Sequence, residues 1–480
     1  MARRRRSRYD GVVGGLEEIF ELDPERVETT LRRYAGAGPR YTSYPTAPAW
    51  SETYGAEAFR RALGALPAGT EIALYVHVPF CRSLCHFCAC NRVITRRPEP
   101  PVRYLDAIER EVATLREALP GACRVAQHHW GGGTPTHLDP AQIRRLFRAL
   151  DDAFPAAPGA EISIEVDPRV TSEAHVEVLR ECGMNRISLG VQDFDPRVQQ
   201  AIHRVQDAGQ TARLVERARA RGFESVNLDL IYGLPFQGVE STERTLDRVL
   251  AIAPDRIALY AYAHVTWVAK QQRGFERGDL PAPALRLRIQ LAAIRKLLRA
   301  GYVHVGMDHF ARPDDELARA ARERTLRRNF MGYTTRAGLD LLGLGPSAIS
   351  ELTASYAQSE RDLERWDELV RADALATRGG HALDDDDRER RWVIAEIMCQ
   401  GEVRAADHRA RFGGELTRRF EPELAALEPL VADGLVELSG DGSLRVTALG
   451  RLAVRNVAMA FDAYLPAQRA AERPLFSQTV

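Results

Sequence analysis

Four of the seven cysteines of the chain lie in one short segment, VPFCRSLCHFCACNRV at residues 78–93. The first three, Cys81, Cys85 and Cys88, follow the spacing Cys-x3-Cys-x2-Cys. Thiolates are soft ligands that select zinc or iron–sulfur clusters. Structural zinc sites usually combine two separated pairs of ligands, and no second pair follows this segment. The spacing therefore favours one iron–sulfur cube held by three cysteines, which leaves its fourth iron open to another ligand.

Cys90 is the fourth cysteine of the segment, and as a ligand it would complete an electron-transfer cluster. In an extended Cys-x-Cys segment alternate side chains point to opposite sides, so Cys88 and Cys90 are not expected to face one cluster. We therefore predict ligation by three cysteines, with a four-cysteine cluster and a zinc site as the alternatives. The remaining cysteines have apolar neighbours and are predicted to be buried thiols: Cys123, Cys182 and Cys399.

The residues that surround this segment in sequence alternate between two periodicities. Short β-rich runs are IALYVHV (72–78), RVAQHHW (124–130), EISIEV (161–166), RISLGV (186–191), SVNLDLIY (225–232) and RIALYAYA (256–263). Helical patterns separate them. One carries an apolar stripe from Leu105 to Leu119, and another begins with Asp139 as a cap and Pro140 in the first turn. This series predicts a parallel sheet with helices outside, as in an open or closed α/β barrel.

Unusual motifs follow these strands. The cysteines follow the first strand, GGGTP the second, EVDP the third, GVQDF the fourth and DLIYGLP the fifth. Sites in such barrels lie at the carboxyl ends of the strands, so one mouth would collect all of these motifs. No Gly-Lys-Ser/Thr follows HWGGGTP (129–135), which argues against a phosphate loop, and glycines there would let the backbone approach a bound cofactor closely.

Length and composition limit the classes of function. A chain of 480 residues is expected to form two to three domains. A formal net charge of zero and a pI near 7.2 give no field that favours nucleic acid or an anionic membrane as a partner. The start, MARRRRSRYDG, has no apolar run behind its basic residues, and no segment approaches the roughly 18 apolar residues of a membrane span. These features predict a cytoplasmic protein.

The alternation defines three expected regions. Residues 1–70 form an N-terminal extension, of which the arginine-rich first 33 residues are predicted to be a disordered tail. The barrel covers 71–350. In the C-terminal region, 351–480, a helix, a Gly-Asp-Gly hairpin and a further helix resemble a winged-helix layout. Because the chain has no basic excess, we interpret that region as a lid or packing domain instead of a DNA reader.

The segment CRSLCHFC resembles the cysteine signature of radical S-adenosylmethionine (SAM) enzymes. The resemblance implies a [4Fe-4S] cluster whose open iron binds the amino and carboxylate groups of SAM. An electron from the cluster cleaves the sulfonium, and the resulting 5′-deoxyadenosyl radical takes a hydrogen from an unreactive carbon. The implied fold is α/β: a partial (β/α)6 TIM-like barrel of the radical SAM type, with an irregular N-terminal extension and a mainly helical C-terminal domain.

Longer blocks resemble one family, the oxygen-independent coproporphyrinogen III oxidases. They include GPRYTSYPTA, LYVHVPFCRSLCHFCACNRVIT, HWGGGTPTHL, VNLDLIYGLPFQ, GMDHFARPDDELA and GRLAVRNVAMAFDAYL. The resemblance implies oxidative decarboxylation of two propionate side chains of coproporphyrinogen III to vinyl groups, without dioxygen. It also implies two bound SAM molecules, an unidentified reductant and electron acceptor, and a monomer.

Site residues are implied by matching motif positions. The cluster would be held by Cys81, Cys85 and Cys88. The first SAM would contact Tyr75, Gly132, Glu165 and Ile349. The second would contact Phe87, Gly133, Thr134, Gln192, Arg204, Asp229 and Ala263. Tyr75, His77 and Glu165 are the expected catalytic residues, with His77 as either proton donor or polar support.

Weaker candidates lie outside these motifs. The segment MDHFAR (307–312) lies where a strand is expected to end, which makes Asp308, His309 and Arg312 candidates. Arg40 and Arg328 are candidates for substrate carboxylates, because a guanidinium group suits a carboxylate.

One residue departs from the family pattern, and three rival functions stay open. Family members commonly have glycine where this chain has Ala89, so the loop must be reachable without positive φ. The first rival is a haem-binding chaperone. Chaperones related to this family lack a cysteine at the position of Cys90 and lack the RYTSYPT block, both of which are present here. The second rival is a different radical SAM reaction on a porphyrin, and the third is a non-catalytic electron-transfer protein.

Overall fold

Parallel strands form the centre of the protein, whose computed structural model describes residues 15–267, 269–469 and 476. Six strands each pair in parallel with the next. They are β1 (Glu71–Val78), β2 (Arg124–Gly132), β3 (Ala156–Val166), β4 (Arg186–Gln192), β5 (Ser225–Tyr232) and β6 (Arg256–Ala261). Six of the eight residues of β1 are buried, as expected for a parallel strand covered on both faces. The predicted α/β fold is confirmed.

Six further strands extend this sheet at both edges. They are β7 (Val303–Gly306), β8 (His309–Ala311), β9 (Asp340–Leu344), β10 (Ile349–Leu352), β11 (Ser355–Ser359) and β12 (Thr377–Ala382). The order across the sheet is β12-β11-β10-β9-β1-β2-β3-β4-β5-β6-β8-β7. β9 runs parallel to β1, whereas the outer pairs are antiparallel. The sheet therefore continues past residue 350.

The segment MDHFAR follows directly after β7 ends at Gly306, as predicted, but it does not end there in a loop. It enters β8, which runs antiparallel to β6. The backbone N–H of Leu259 donates to the carbonyl of Asp308, whereas Arg312 lies beside the start of β6 and donates to the carbonyls of Ala253 and Pro254. Asp308 therefore stays near the barrel mouth and Arg312 does not.

Helices cover the outside of the sheet. Those associated with the barrel are α3 (Glu99–Ala118), α4 (Pro140–Ala153), α5 (Glu173–Glu181), α6 (Pro196–Ala201), α7 (Ala208–Ala220), α8 (Val239–Ile252), α9 (Pro283–Arg299) and α10 (Glu316–Arg322). The side chain of Asp139 accepts from the backbone N–H of Gln142, and the side chain of Gln142 accepts from the backbone N–H of Asp139. This capping box fixes the start of α4 and satisfies backbone donors that would otherwise be unpaired.

The N-terminal extension packs onto the rest of the molecule. It contains α1 (Pro24–Arg33) and α2 (Ala56–Gly64), and short 3-10 turns at Leu16–Glu21 and Ala47–Ala49. Leu16, Ile19 and Leu31 join the main core, so residues 16–33 are not a disordered tail. The first part of that predicted tail, residues 1–14, lies outside the described residues.

The C-terminal region is mainly helical. It contains α11 (Leu363–Arg371), α12 (Asp385–Gln400), α13 (Ala405–Phe412), α14 (Leu416–Arg419), α15 (Glu421–Ala426), α16 (Glu428–Ala432), α17 (Ala448–Leu452), α18 (Val454–Met459) and α19 (Leu465–Arg469). The strands Val436–Leu438 and Leu444–Val446 pair antiparallel, with Glu402–Val403 alongside. The order of helix, hairpin and helix is the one that the sequence suggests.

Two-stranded ribbons complete the described secondary structure, at Phe80–Cys81 with Val93–Ile94 and at Arg327–Asn329 with Gly332–Thr334. Further 3-10 turns occur at Pro135–His137, Lys270–Gly274 and Arg277–Asp279. Among the helices of the described residues, none has both the length and the apolar character that a membrane crossing needs.

Candidate active site

A cavity of about 290 Å3 opens where the parallel strands end. Its wall combines the cysteine loop after β1, the glycine turn after β2 and the carboxyl ends of β3 to β6. The predicted site residues that line it are Cys81, Cys85, Phe87, Cys88, Gly132, Gly133, Thr134, Glu165, Gln192, Arg204 and Asp229. Residues far apart in sequence therefore meet at the mouth that the strand order predicts.

Cys85 is the most enclosed of the three predicted ligands. Its Sγ atom lies 3.6 Å from a terminal nitrogen of Arg169 and 3.6 Å from one of Arg204. Both guanidinium groups also contact the Asp167 carboxylate, at 2.7 and 3.1 Å. Two guanidinium groups that share one carboxylate therefore contact the sulfur of Cys85.

Arg169 and Asp167 are site residues that the motifs alone do not single out. Both belong to the segment EVDPR, but a charged side chain after a strand is usually an exposed one. The spatial relation to Cys85 depends on how the cysteine loop folds back over β3, which no local pattern encodes. Arg204, predicted as a cofactor contact, also belongs to this network because its Nη2 donates to the carbonyl of Gly190 at 2.6 Å.

Cys90 lines the same cavity as the other three cysteines, contrary to the argument from alternating side chains. The segment from Cys85 to Cys90 contains a turn and a bend instead of extended backbone. A hydrogen bond from Cys90 lowers the pKa of Cys88 to about 6 and raises the pKa of Cys90. The prediction that Cys88 and Cys90 face opposite sides is therefore wrong. The assignment of Cys81, Cys85 and Cys88 as the cluster ligands stays a prediction.

Ala89 gives the cysteine loop no backbone strain. Positive φ values at non-glycine residues occur at nine described positions, and Ala89 is not one of them. The side chain of Ala89 is exposed. The loop therefore reaches its conformation without the glycine that related proteins commonly carry.

The glycine turn after β2 lies against the cysteine loop. Gly132 has φ of +111°, and a Cβ atom on it would lie 2.7 Å from the His77 ring. A Cβ atom on Gly133 would lie 2.7 Å from the backbone of Pro79. Only glycine fits these two positions, and their bare backbone forms part of the cavity wall.

Tyr75 and His77 lie on β1 behind this turn and form a chain of hydrogen bonds. The hydroxyl of Tyr75 lies 3.1 Å from Nδ1 of His77, and Nε2 of His77 lies 2.9 Å from the carbonyl of Asn91. A carbonyl only accepts, so Nε2 carries the proton and Nδ1 accepts from Tyr75. Burial lowers the pKa of His77 and raises that of Tyr75, which keeps both groups neutral.

The other two predicted residues outside the cavity wall are Ala263 and Ile349. Nε2 of Gln272 donates to the carbonyls of Phe87 and Ala263, at 2.9 and 3.0 Å, and so places Ala263 beside the cysteine loop. Ile349 begins β10, where its backbone packs against Gly343, the partner of Tyr75 across β1 and β9. Ala263 therefore lies near a residue of the cavity wall, Phe87, whereas Ile349 lies near the strand that carries Tyr75.

Glu165 lines the cavity and keeps 46% of its side chain exposed. Burial alone would raise its pKa, but a hydrogen bond from His129 and one from the backbone N–H of Gly132 outweigh burial and lower it. A stacked contact with Tyr75 holds His129 in place. Glu165 therefore presents an ionised carboxylate, which is suited to an ammonium group or a hydroxyl.

Asp229 on β5 lines the same cavity, but its pKa is shifted in the direction opposite to that of Glu165. Ser188 and Asn227 donate to its carboxylate at 3.0 and 2.8 Å. Burial, followed by the charge of Glu165, raises its pKa to about 6. A second cavity of about 130 Å3 continues inward from this point, and Glu165, Asp229 and Tyr260 line both cavities. The mouth therefore leads into the barrel interior.

The residues present fit an iron–sulfur cluster and SAM. Three thiols share one cavity, and one of them faces two guanidinium groups that complement a thiolate. Burial raises the pKa of Cys81 to about 11, so metal binding there would displace a proton. The bare backbone at Gly132 and the carboxylate of Glu165 provide space and a negative charge for a cationic amino-acid cofactor.

Two family models match this chain. The Radical SAM superfamily model covers residues 75–249, and the model of the HemN C-terminal domain covers residues 383–453. Together they include the cysteine loop, the strands that end at the cavity and the helical C-terminal region.

Curated relatives match nearly the whole chain. The oxygen-independent coproporphyrinogen III oxidase of Escherichia coli K12 is 45% identical, and the match covers 91% of this chain and 94% of the relative. The enzyme of the same name from Pseudomonas aeruginosa is 43% identical, with 93% and 97% covered. A solved structure of the E. coli enzyme, described as a radical SAM enzyme, matches with a TM-score of 0.86 at 44% identity and covers 88% of this chain and 97% of that one. The chain belongs to the oxygen-independent coproporphyrinogen III oxidase family of radical SAM enzymes.

Proposed function

We propose that this protein converts two propionate side chains of coproporphyrinogen III to vinyl groups, giving protoporphyrinogen IX without dioxygen. The observation that carries the proposal is the meeting of three cysteines, a glycine turn and Glu165 on one cavity at the barrel mouth. We infer the substrate, coproporphyrinogen III, from the family to which the chain belongs. The cavity of about 290 Å3 leads into a second one of about 130 Å3, so reactive groups can act away from bulk water.

Cys81, Cys85 and Cys88 would hold the [4Fe-4S] cluster. When bound, the cluster and SAM supply a one-electron cleavage that yields a carbon radical able to take hydrogen from an unreactive carbon. Arg169 and Arg204 would influence the reduction potential of the cluster through the sulfur of Cys85. Hydrogen bonds and charges at the sulfur atoms of a cluster set its reduction potential. Cys90 would remain a neighbour of Cys88 and not a ligand.

Gly132 and Glu165 would bind the amino-acid part of the first SAM, with Tyr75 and Ile349 at its edges. Gly133, Thr134 and Phe87 would contact the second SAM near the cysteine loop. Gln192, Arg204, Asp229 and Ala263 would complete the second site. The members of this set that line the main cavity support the proposal: Gly132, Glu165, Phe87, Gly133, Thr134, Gln192, Arg204 and Asp229.

His77 would act as a positioning residue and not as a proton donor to substrate. Both of its ring nitrogens are engaged, one by Tyr75 and the other by the carbonyl of Asn91. Gly132 covers its ring. Tyr75 and Glu165 would therefore be the groups that touch the cofactor, and His77 would fix the orientation of Tyr75 and the end of the cysteine loop.

Each decarboxylation releases carbon dioxide, one hydrogen atom and one electron. The electron needs an acceptor, and the cluster needs a reductant, so we propose two redox partners of unidentified structure. We also propose that the protein works as a monomer in the cytoplasm, where cysteine thiols stay reduced.

Anaerobic turnover tests the proposal. The reconstituted protein with SAM, reductant and coproporphyrinogen III should form protoporphyrinogen IX, methionine and 5′-deoxyadenosine. Deoxyadenosine without decarboxylated porphyrin would contradict the oxidase and retain radical chemistry. A fully loaded cluster that forms neither product, together with tight haem binding, would favour a haem-binding chaperone.

A further inference from the structure

Four arginines line the main cavity: Arg82, Arg92, Arg169 and Arg204. Arg169 and Arg204 both form an ion pair with the carboxylate of Asp167. Arg82 and Arg92 belong to the cysteine loop, and neither forms an ion pair with a carboxylate of the described residues. We call Arg82 and Arg92 the loop arginines. They bring positive charge to the cavity wall that the described part of the chain does not neutralise by a direct contact.

Arg92 keeps one edge of its guanidinium group without an acceptor. Its Nη1 donates to the carbonyl of Cys90 at 2.9 Å, which holds the side chain against the loop. Its Nε is buried and has no hydrogen-bond partner among the described residues, and Nη2 donates to none of them. Nε and Nη2 form the edge that a carboxylate can bind with two parallel hydrogen bonds. An anion at this edge would therefore supply the acceptor that the buried Nε lacks.

Arg82 is exposed and lies next to Cys81 at the start of the same loop. Burial, followed by the charge of Arg82, lowers the pKa of His137, which also lines the cavity. His137 is thus neutral beside Arg82, and its Nδ1 has no hydrogen-bond partner among the described residues. The charge of Arg82 is therefore available to an anion that enters the cavity from solution.

The two arginines that the sequence suggests for substrate carboxylates have other contacts. The guanidinium group of Arg40 forms an ion pair with Asp308, and Nη1 of Arg328 donates to the carbonyl of Arg40 at 2.5 Å. Neither of these arginines lines the main cavity. The loop arginines are thus better placed than Arg40 and Arg328 for a ligand that fills the mouth.

We propose that the loop arginines bind propionate carboxylates of the substrate porphyrinogen, an inference that rests on the proposed function. A guanidinium group matches a carboxylate in charge and in planar geometry. The substrate carries four propionates, of which two react, so one arm can be held while another reacts. The same loop carries the cysteines that would hold the cluster. A propionate bound there would therefore place the ring beside the source of the radical.

The contact would also distinguish porphyrinogens by their side chains. A carboxylate accepts from both free nitrogens of Arg92, whereas an ester or an amide brings no negative charge to the guanidinium group. The loop arginines would thus favour a porphyrinogen with free propionates over one with neutral side chains. Because Arg82 is exposed, its charge can also attract an anionic substrate from solution.

Binding of oxidised coproporphyrin III tests the proposal without turnover, because this probe carries the same four propionates and its fluorescence reports binding. Arg92→Gln in the cluster-loaded protein should weaken binding by about tenfold or more, the scale of one charge-assisted hydrogen bond. Arg92→Lys keeps the charge but loses the planar fork, so it should weaken binding less than Arg92→Gln. Addition of Arg82→Gln to Arg92→Gln should weaken binding further. A coproporphyrin III with four amidated propionates should bind the wild type and all variants with equal affinity.

Arg97→Gln is the matched control, because Arg97 follows the cysteine loop closely in sequence but does not line the main cavity. Its side chain is 79% exposed and pairs with Glu99. This variant should bind the probe as the wild type does. Equal weakening in Arg97→Gln and Arg92→Gln would indicate a general effect of positive charge and overturn the proposal, as would unchanged binding in Arg92→Gln.

Binding of SAM separates a substrate carboxylate from the carboxylate of the cofactor. Cluster-loaded Arg92→Gln should bind SAM with the affinity of the wild type in equilibrium binding. A loss of SAM affinity as large as the loss of porphyrin affinity would assign the loop arginines to the cofactor and overturn the proposal. Iron analysis shows whether each variant is loaded. If Arg92→Gln does not load the cluster, Arg82→Gln decides, and unchanged porphyrin binding in that variant overturns the proposal.

These results separate the loop arginines from the proposed function. If the wild type forms protoporphyrinogen IX but the variants of the loop arginines bind the probe normally, only the assignment of these arginines fails. If Arg92→Gln weakens porphyrin binding but the wild type does not decarboxylate coproporphyrinogen III, the proposed function fails and the carboxylate contact stands.

Discussion

Gly132 lies directly against the imidazole ring of His77, with room for no atom between them. A Cβ atom on Gly132 would lie 2.7 Å from Cε1 and 2.8 Å from Nδ1 of His77. Nδ1 is the atom that accepts from Tyr75, so the glycine turn and the hydrogen-bond chain of β1 form one unit. The position of the cysteine loop depends on this unit, because the same ring holds the carbonyl of Asn91.

Gly132→Ala is therefore expected to disturb cofactor binding more than stability. The new methyl group displaces His77, and φ of +111° costs about 1–3 kcal/mol for a residue with a side chain. We expect the affinity for SAM to fall by about tenfold or more, measured by equilibrium binding to the cluster-loaded protein. Gly159→Ala is the control: φ is +71° there, but nothing lies within 4 Å of the added Cβ. Equal loss of SAM affinity in both variants would contradict the contact with His77 as the cause.

Arg169→Gln should lower the reduction potential of the cluster. The terminal nitrogen of Arg169 lies 3.6 Å from Sγ of Cys85, and a positive charge at this distance favours the reduced, more negative cluster. A redox titration followed by electron paramagnetic resonance measures the shift, expected to be tens of millivolts. Arg213→Gln removes an arginine whose side chain is 72% exposed and should leave the potential unchanged. An unchanged potential in Arg169→Gln would show that this contact does not act on the cluster.

Ionisation of Asp229 should lower the stability of the folded protein and strengthen cofactor binding as the pH rises. Its pKa in the folded protein is about 6, above the ordinary value of 3.8, because of burial and the charge of Glu165. The stability that it contributes is thus fully present below pH 3.8 and lost as pH rises through about 6. The ionised form above about pH 6 is the better acceptor for a cofactor hydroxyl.

Asp229→Asn tests both effects. The thermal unfolding midpoint of the variant should change less between about pH 4 and 7 than that of the wild type. The SAM affinity of the variant should no longer rise as the pH passes about 6. A wild-type protein whose SAM affinity is independent of pH over this interval would exclude Asp229 as a cofactor contact.

Cys81→Ala and Cys90→Ala should differ in iron content. Loss of a ligand should abolish the cluster, whereas loss of a neighbouring thiol should leave about four irons per chain. Both cysteines line the main cavity, so both thiols are next to the predicted cluster site. Iron and sulfide analysis after anaerobic reconstitution measures the difference. Equal loss of iron would make Cys90 a ligand and close the cluster to SAM.

Local patterns predict the strands and helices well because each signal lies within the segment that it shapes. Asp139 and Pro140 define the start of α4, and the run SVNLDLIY predicts β5 with its bounds, Ser225–Tyr232. The place of the mouth follows from strand order alone, since parallel strands share one carboxyl edge.

Features that depend on contacts between distant segments are not predictable in this way. Cys90 lies at a bend and lines the same cavity as Cys88, although alternation predicts the opposite side. The strand end predicted next to Asp308 is present at Gly306, but the antiparallel return through β8, which carries Arg312 away, is not visible in the local pattern. Residues 16–33 bury Leu16 and Leu31 against partners elsewhere in the chain, which a local arginine count does not reveal.

Transfer of a labelled hydrogen tests the central claim most directly. Coproporphyrinogen III carrying deuterium at the propionate β-carbon is turned over anaerobically with SAM and reductant, and the products are analysed by mass spectrometry. Radical abstraction at the mouth predicts deuterium in 5′-deoxyadenosine together with protoporphyrinogen IX. Protoporphyrinogen IX formed with unlabelled 5′-deoxyadenosine, or labelled substrate recovered unchanged beside 5′-deoxyadenosine, would contradict the account.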